Sequence, residues 1–434
     1  MKKILILSYF FPPSTFTGSF RIYSWAKYLS RFGWYPIVVT RSWDVPVNNY
    51  QDMSATTSGK IVHQKFENYE VYFLPYKGNL RDRLYARYGD RRMVVLRKIL
   101  SFFEQIVQNY GLWVVPFKNL YKFSGKLLEE NKDIKCMITS GRPYVLFHFC
   151  HKLTKKYNIP WIADYRDDWN TSQWLRNIPF KDKVIMKFES RSEKKWLSNA
   201  ACFTTISQAY VNSISGFVKK SGYAVMNGFD PEDYRDIVPA ENSNVFTILF
   251  NGSLYDTQPV EIFTNAYRKF VQSPDKKEKI KLVFLGLNFE KLQSDRVRKL
   301  LEGLESFYEI TDRFEKKKAL GIMAASHLFL MFSHTNIKGV TSSKIFDYLA
   351  LGKPILLCPS DNEILEEIVV STNSGFVCDT ADNIISVLNQ LYDKYVLTGD
   401  TSCTRENNTV EFYSRINQTK KMAEIINTAT SAGG

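Results

Sequence analysis

Apolar positions along this chain recur in two periods, and the switching between them lays out an architecture. Ile4–Ser8 is a short apolar run, as a buried strand is. From about Phe20 to Phe32 apolar residues return every three or four positions, as on one helix face. Gly33 closes that helix, and Ile37–Thr40 is again strand-like. The strand-loop-helix-strand unit then repeats. Strand patterns at Val71–Leu74, Lys135–Thr139, Trp161–Asp164, Cys202–Ile206 and Ala224–Met226 alternate with helical ones at 143–157, 182–198 and after Ser207. The pattern restarts at Phe246–Phe250. It runs through Lys281–Leu285, a short strand near Ile310, a helix at 316–324, and strands Leu328–Phe332 and Ile355–Leu357, to helices at 381–396 and 410–427. Such alternation predicts an α/β chain of doubly wound parallel sheets, and 434 residues suit two domains of about 200 each, facing one cleft.

The segment SSKIFDYLALGKPILL, residues 342–357, organises the second half. Ile345, Phe346, Leu349 and Ala350 share a helix face, Ser342 or Ser343 suits the N-cap, and Gly352 suits the left-handed stop. Lys344 and Asp347, three apart, lie on neighbouring positions near the helix N-terminus. That end favours a phosphate, whereas the same two residues also suit an ordinary surface ion pair.

Composition is that of a globular protein, with 44% apolar and 24% charged residues. No run approaches the ~18–20 apolar residues of a membrane span. The opening MKKILILSYFFPP superficially resembles a signal peptide, but its apolar run is short and ends in Pro12-Pro13, so a first buried strand is the better reading. The six cysteines are scattered without a CxxC pair, which argues for buried thiols in a reducing cytoplasm and against disulfides or zinc. A net charge of +14 calls for an anionic partner: nucleic acid, membrane or phosphorylated substrate.

Three clusters carry candidate chemistry. Gly18 and Ser19 sit at the first loop-helix junction with Arg21 just beyond, an arrangement open to an anion and equally to a solvated arginine. The stretch ADYRDDW ends a strand with Asp164, Arg166, Asp167 and Asp168, where α/β sheets place ligands; a structural ion-pair knot is the alternative. Between 77 and 126, Arg81, Arg83, Arg87, Arg91, Arg92, Arg97 and Lys98 are interleaved with aromatics beside an apolar helical face at Leu96, Ile99, Leu100, Phe103, Ile106 and Val107. That face suits either an anionic bilayer surface or ordinary core packing. No nucleic-acid motif accompanies these charges, so nucleic acid is not an expected partner.

With these pieces in order, the chain resembles family 4 glycosyltransferases of the GT-B fold, closest to the bacterial enzymes of capsule and lipopolysaccharide O-antigen assembly. YFFPPSTFTGSFRIYSWAKYLSRFGWYPIVVT, ADYRDDW, the interdomain NGFDPEDY and SKIFDYLALGKPIL carry the resemblance, with 45–130 the poorest match. Two departures stand out. Where many members carry two glutamates, Gly339 and Asp347 stand here, and NGSLYDTQ replaces a segment that usually supplies Arg and Lys. Arg21, Lys344, Arg313 and Lys338 are the cations that could neutralise a diphosphate instead.

The resemblance implies a retaining, metal-independent transferase without a cofactor, moving sugar from a nucleotide diphosphate donor to a lipid-linked or oligosaccharide acceptor. It would be cytoplasmic, on the inner face of the membrane. Residues 1–225 would form the acceptor-side domain, with a basic-aromatic insertion at about 77–126. Residues 226–409 would hold the donor, and a helix at 410–434 would pack back on the first domain. Gly18, Ser19, Arg21, Asn251, Gly252, Ser343, Lys344 and Asp347 would bind the donor, Asp347 through the ribose hydroxyls. Asp164, Arg166, Asp167 and Lys344 would serve the chemistry, and His148 and His151 read as structural. A GT-B epimerase or hydrolase and a non-enzymatic basic binding protein are the rival readings.

Overall fold

The first strand, β1 (Lys2–Ser8), has Ile4 to Leu7 wholly buried, because helices cover both faces of the sheet and leave no solvent side to alternate with. The computed structural model describes residues 1–44, 51–57, 59–175, 179–241, 244–273 and 279–431. It divides into two compact units, Met1–Met226 with Gln418–Gly434, and Asn227–Asn417.

The first unit continues with α1 (Thr17–Tyr28), β2 (Trp34–Arg41), β3 (Val62–Lys65), β4 (Glu70–Leu74), α2 (Leu80–Tyr88), α3 (Val94–Val107) and α4 (Lys118–Glu130). It goes on through β5 (Ile134–Gly141), α5 (Val145–Tyr157), β6 (Trp161–Tyr165), α6 (Phe180–Leu197), β7 (Cys202–Thr205), α7 (Gln208–Val218) and β8 (Gly222–Ala224). The strands form one sheet in the order β3-β4-β2-β1-β5-β6-β7-β8, parallel except for the antiparallel β3–β4 pair.

The second unit holds β9 (Phe246–Asn251), α8 (Val260–Val271), β10 (Ile280–Leu285), α9 (Lys291–Leu300), β11 (Tyr308–Ile310), α10 (Lys316–Ala324) and β12 (Leu328–Met331). After these come α11 (Lys344–Leu351), β13 (Ile355–Leu357), α12 (Ile364–Ser371), β14 (Gly375–Val377), α13 (Ala381–Thr398) and α14 (Asn407–Phe412). Its parallel sheet runs β11-β10-β9-β12-β13-β14. Strand order reverses beside β1 in one sheet and beside β9 in the other. In each, the crevice beyond the carboxyl ends at that reversal is where such sheets take ligands. The last helix, α15 (Arg415–Ser431), sends Met422, Ile425 and Ile426 into the first unit's core with Ile4, Ile6 and Trp25.

Several expectations need correction. The single helix at 410–427 is two, because Phe229 exchanges backbone hydrogen bonds with Tyr413 and Arg415 and interrupts the helical ladder there. Ser343 occupies the N-cap position of α11 but makes no side-chain capping bond, while Gly352 ends the helix at φ +77° as expected. The basic-aromatic segment is neither wholly core nor wholly surface. Leu120, Leu127 and Leu128 of α4 are buried, whereas no residue of α3 is. The region read as loop between 41 and 75 contains β3, and its stretches at 45–50 and 58 lie outside the described residues.

Candidate functional site

In the first unit the strand ends converge on Asp164, at the carboxyl end of β6 and fully buried. Its Oδ1 accepts from Arg21 Nη2 at 2.8 Å and from Thr204 Oγ1 at 2.8 Å, and its Oδ2 accepts from Ser140 Oγ at 2.7 Å. Arg21 Nε adds 3.1 Å contacts to both oxygens, and Arg21 Nη1 donates to the Val225 carbonyl at 2.7 Å. Arg21, only 2% exposed, is thus neither an anion receptor nor solvated. The pair is the ion-pair knot that was the alternative for this cluster, and it bonds α1, β5, β6 and β7 to one another. A donor-binding role for Arg21 and a chemical role for Asp164 do not fit groups so enclosed.

What stays reachable lies next to the knot. Arg166 forks onto the half-exposed Asp167, with Nη2 at 2.7 Å and Nε at 3.1 Å from its Oδ2. Gly18 makes room for this arginine, since a Cβ there would lie 2.2 Å from Arg166 Nη1. Ser19 is buried beside it, its hydroxyl without a partner among the described residues. Gly18, Ser19, Arg166 and Asp167 therefore form one group at the mouth of this sheet. Asp168 is buried, which raises its pKa. His148 stacks on Trp196, and His151 is bonded to the Trp196 carbonyl and Asn199; burial lowers both pKa values, that of His148 to about 4. Glu193 escaped the sequence reading because RSEKKW resembles a solvated helix. It is wholly buried against Tyr165 and Asn170, and burial raises its pKa to about 7.

In the second unit the reversal between β9 and β12 is filled by Lys344. The lysine is partly exposed, and its ammonium lies 4.1 Å from the centre of the buried Phe250 ring and donates to the Ser253 carbonyl. Among the described residues no carboxylate pairs with it. Burial lowers its pKa to about 7. Gly252, at φ +79°, turns the chain so that this carbonyl faces the lysine. The Gly252 amide is bonded to Leu285 at 2.7 Å and the Asn251 amide to the Tyr348 hydroxyl at 3.0 Å, so neither N–H is open to a phosphate. The two loops are tied together by Thr257 Oγ1 to His334 Nδ1 at 2.7 Å and by Gln258 Nε2 to the Phe332 carbonyl at 2.7 Å.

Asp347 does not pair with Lys344, which removes the surface ion-pair alternative. Its Oδ1 accepts from the Tyr234 hydroxyl, and burial raises its pKa although Tyr234, Lys316 and Arg415 pull it down. The exposed Ser343 stands at the start of α11. At position 339 a carboxylate arrives from elsewhere: Glu363 Oε2 accepts from the Gly339 amide at 2.8 Å, and its Oε1 lies 3.5 Å from Lys338 Nζ. Arg313 lies against the Phe289 ring, close to Gly286 at the end of β10. Locally, a partly exposed lysine without a paired carboxylate among the described residues stands beside a helix start, an arrangement that favours negative charge.

No family model matches the chain, and no curated protein does. Solved structures match over its whole length. Sucrose-phosphate synthase from Thermosynechococcus elongatus superposes with a TM-score of 0.62 at 12% identity, covering 100% of both chains. A glycosyltransferase from Rickettsia africae gives 0.60 at 13%, covering 99% and 98%. The Anabaena protein HepE in complex with UDP and glucose gives 0.57 at 13%, covering 99% and 100%. At such identities the likeness speaks for architecture, and the architecture is plain: the chain has the GT-B fold.

Proposed function

We propose that the chain is a retaining glycosyltransferase of the family 4 type, taking a nucleotide diphosphate sugar in its second unit. The observation that carries this reading is the Lys344 ammonium, set on the Phe250 ring at the β9/β12 reversal with no paired carboxylate among the described residues. A diphosphate there would meet Lys344, Ser343 and the start of α11, and the cation would stabilise the leaving group as negative charge develops. Asp347 would accept from the ribose hydroxyls where Tyr234 now donates. HepE, bound to UDP and glucose, supports the ligand class by analogy of fold. The acceptor, a lipid-linked or oligosaccharide one of cell-surface polysaccharide assembly on the cytoplasmic side of the membrane, would meet the Gly18, Ser19, Arg166 and Asp167 group. No cofactor enters this scheme, and Lys344 supplies the positive charge that a metal otherwise brings.

Titration calorimetry with UDP, ADP and GDP tests the donor site. At least one should bind, and Lys344→Ala should weaken it roughly 10–100-fold, as loss of a charged hydrogen bond does. Asp347→Asn should weaken it by a smaller factor, and both variants should keep the wild-type Tm to within a few degrees. Wild-type affinity in Lys344→Ala would move the donor site elsewhere.

A further inference from the structure

The loop that follows β6 is held from beneath by α6. Glu189 and Glu193, four apart, lie on one face of that helix. Glu189 Oε2 accepts from Trp169 Nε1 at 3.0 Å, and Glu193 Oε1 accepts from the Tyr165 hydroxyl at 2.8 Å. Glu193 Oε2 accepts from Asn170 Nδ2 at 2.6 Å. A further support comes from Tyr144, whose hydroxyl donates to the Asp167 and Asp168 carbonyls and whose ring stacks on Trp169 at 4.5 Å. Tyr165 and Asn170 bracket Arg166 and Asp167, the reachable pair at the mouth of this sheet. Glu193, 0% exposed, is thus tied to both ends of the segment that carries them.

The hydrogen bonding around Glu193 admits two arrangements. As a carboxylate it can only accept, which suits the two donors aimed at it. Yet Asn170 Oδ1 is buried with no partner among the described residues, as is the neighbouring Thr171 hydroxyl. A buried amide oxygen left unpaired is costly. Once protonated, Glu193 carries a donor, and a half-turn of the Asn170 amide would present Oδ1 to it. The acceptor left over in one protonation state is the partner that the other needs. Burial raises the Glu193 pKa to about 7, with Asn170 and Tyr165 pulling it down and Glu189 pushing it up, so both states are populated near neutral pH. Around it stand Asp168 and Glu189, whose pKa values burial also raises, and Arg142 beyond β5, which draws both down. Tyr144, Tyr165 and Tyr210 stay neutral because burial raises their pKa values, and His148 because burial lowers its own to about 4.

We propose that Glu193 is a positioning residue for Arg166 and Asp167, and that proton uptake by it, with the Asn170 amide turning over, resets the loop between Tyr165 and Asn170. The charged form fixes the pair by accepting from both ends of its segment. The neutral form gives the same loop a second hydrogen-bonded arrangement. That the pair meets an acceptor rests on the transferase reading; that Glu193 sets its position does not. The latter is measured without donor or acceptor, so the two fail separately.

Trp169 lies in this loop between Tyr144 and Glu189, and the difference in emission between wild type and Trp169→Phe isolates its signal. That difference should titrate with a midpoint of about 7. Glu193→Gln, which offers one donor and one acceptor as the protonated acid does, should show the low-pH emission throughout. Tyr165→Phe, which removes a donor to the charged form, should raise the midpoint by about one unit. The Arg166 Nε–H resonance of arginine-labelled protein, assigned with Arg166→Lys, should shift over the same pH range. A Trp169 signal that does not titrate, or that titrates alike in Glu193→Gln, would overturn the proposal, the latter by assigning the step to Asp168 or Glu189. An Arg166 resonance that stays put while Trp169 titrates would leave Glu193 a structural residue only. Should Glu193→Gln fail to fold, an unmoved midpoint in Tyr165→Phe would exclude Glu193 as the titrating group.

Discussion

A lysine ammonium set on an aromatic face, bonded to a carbonyl and to no carboxylate among the described residues, gives up its proton early. Burial lowers the Lys344 pKa to about 7, against ~10.4 in an unfolded chain. Between those values the native state binds fewer protons than the unfolded one, so this group makes stability rise with pH from about 7 upward, while its full cost is felt below. A bound diphosphate reverses the preference and returns the proton. At pH 8, UDP binding should therefore take up as much as one proton, read from calorimetry in buffers of different ionisation enthalpy. Affinity should fall by up to about tenfold per pH unit above 7. Lys344→Ala should bind weakly with no uptake, and wild-type binding without uptake would place the diphosphate away from Lys344. Sequence spacing singled out Lys344 and Asp347 and left an ion pair between them as the alternative, which the structure does not show. Asp347 is three positions away, yet its partner is Tyr234, 113 positions off, and no helical periodicity reports a contact that a distant turn delivers.

Among elements, the Arg21–Asp164 knot holds α1 to the carboxyl ends of β5, β6 and β7. Asp164→Ala would leave a buried guanidinium without its counter-ion and should cost about 3–5 kcal/mol in urea unfolding. Asp167→Asn, on a half-exposed pair, should cost less than ~1 kcal/mol. An Asp164→Ala variant with wild-type stability but no transfer would return Asp164 to the chemistry. That a charged cluster ends β6 was legible, because acidic and basic residues after an apolar run mark a strand's mouth. Which charges face inward was not, since ADYRDDW reads alike in either orientation. Long buried strands were legible from their unbroken apolar runs. β3 was not, with all four of its residues exposed, nor were α12 and β14, too short for a period to establish itself.

For the whole molecule, the two parallel sheets follow from a strand–helix rhythm that restarts at Phe246, and this was the most readable property of the chain. Position 339 was the least readable, since its carboxylate comes from Glu363, 24 residues downstream. If Lys344 and the start of α11 carry the phosphate charge, a mixture of nucleotide sugar, acceptor and protein should turn over at an unchanged rate in excess EDTA. Activity lost with chelator and restored by Mg2+ or Mn2+ would mean that the lysine is not sufficient.

The return of α15 to the first unit sets a clock on synthesis. Met422, Ala423, Ile425, Ile426 and Ala429 complete a core whose other members lie before residue 226, and the whole second unit is translated in between. At about 5–20 residues per second, the first unit waits roughly 10–40 s on the ribosome with that part of its apolar surface uncovered. Over that interval the nascent chain is a client for chaperones, and a message truncated anywhere in the second unit yields a first unit that stays open.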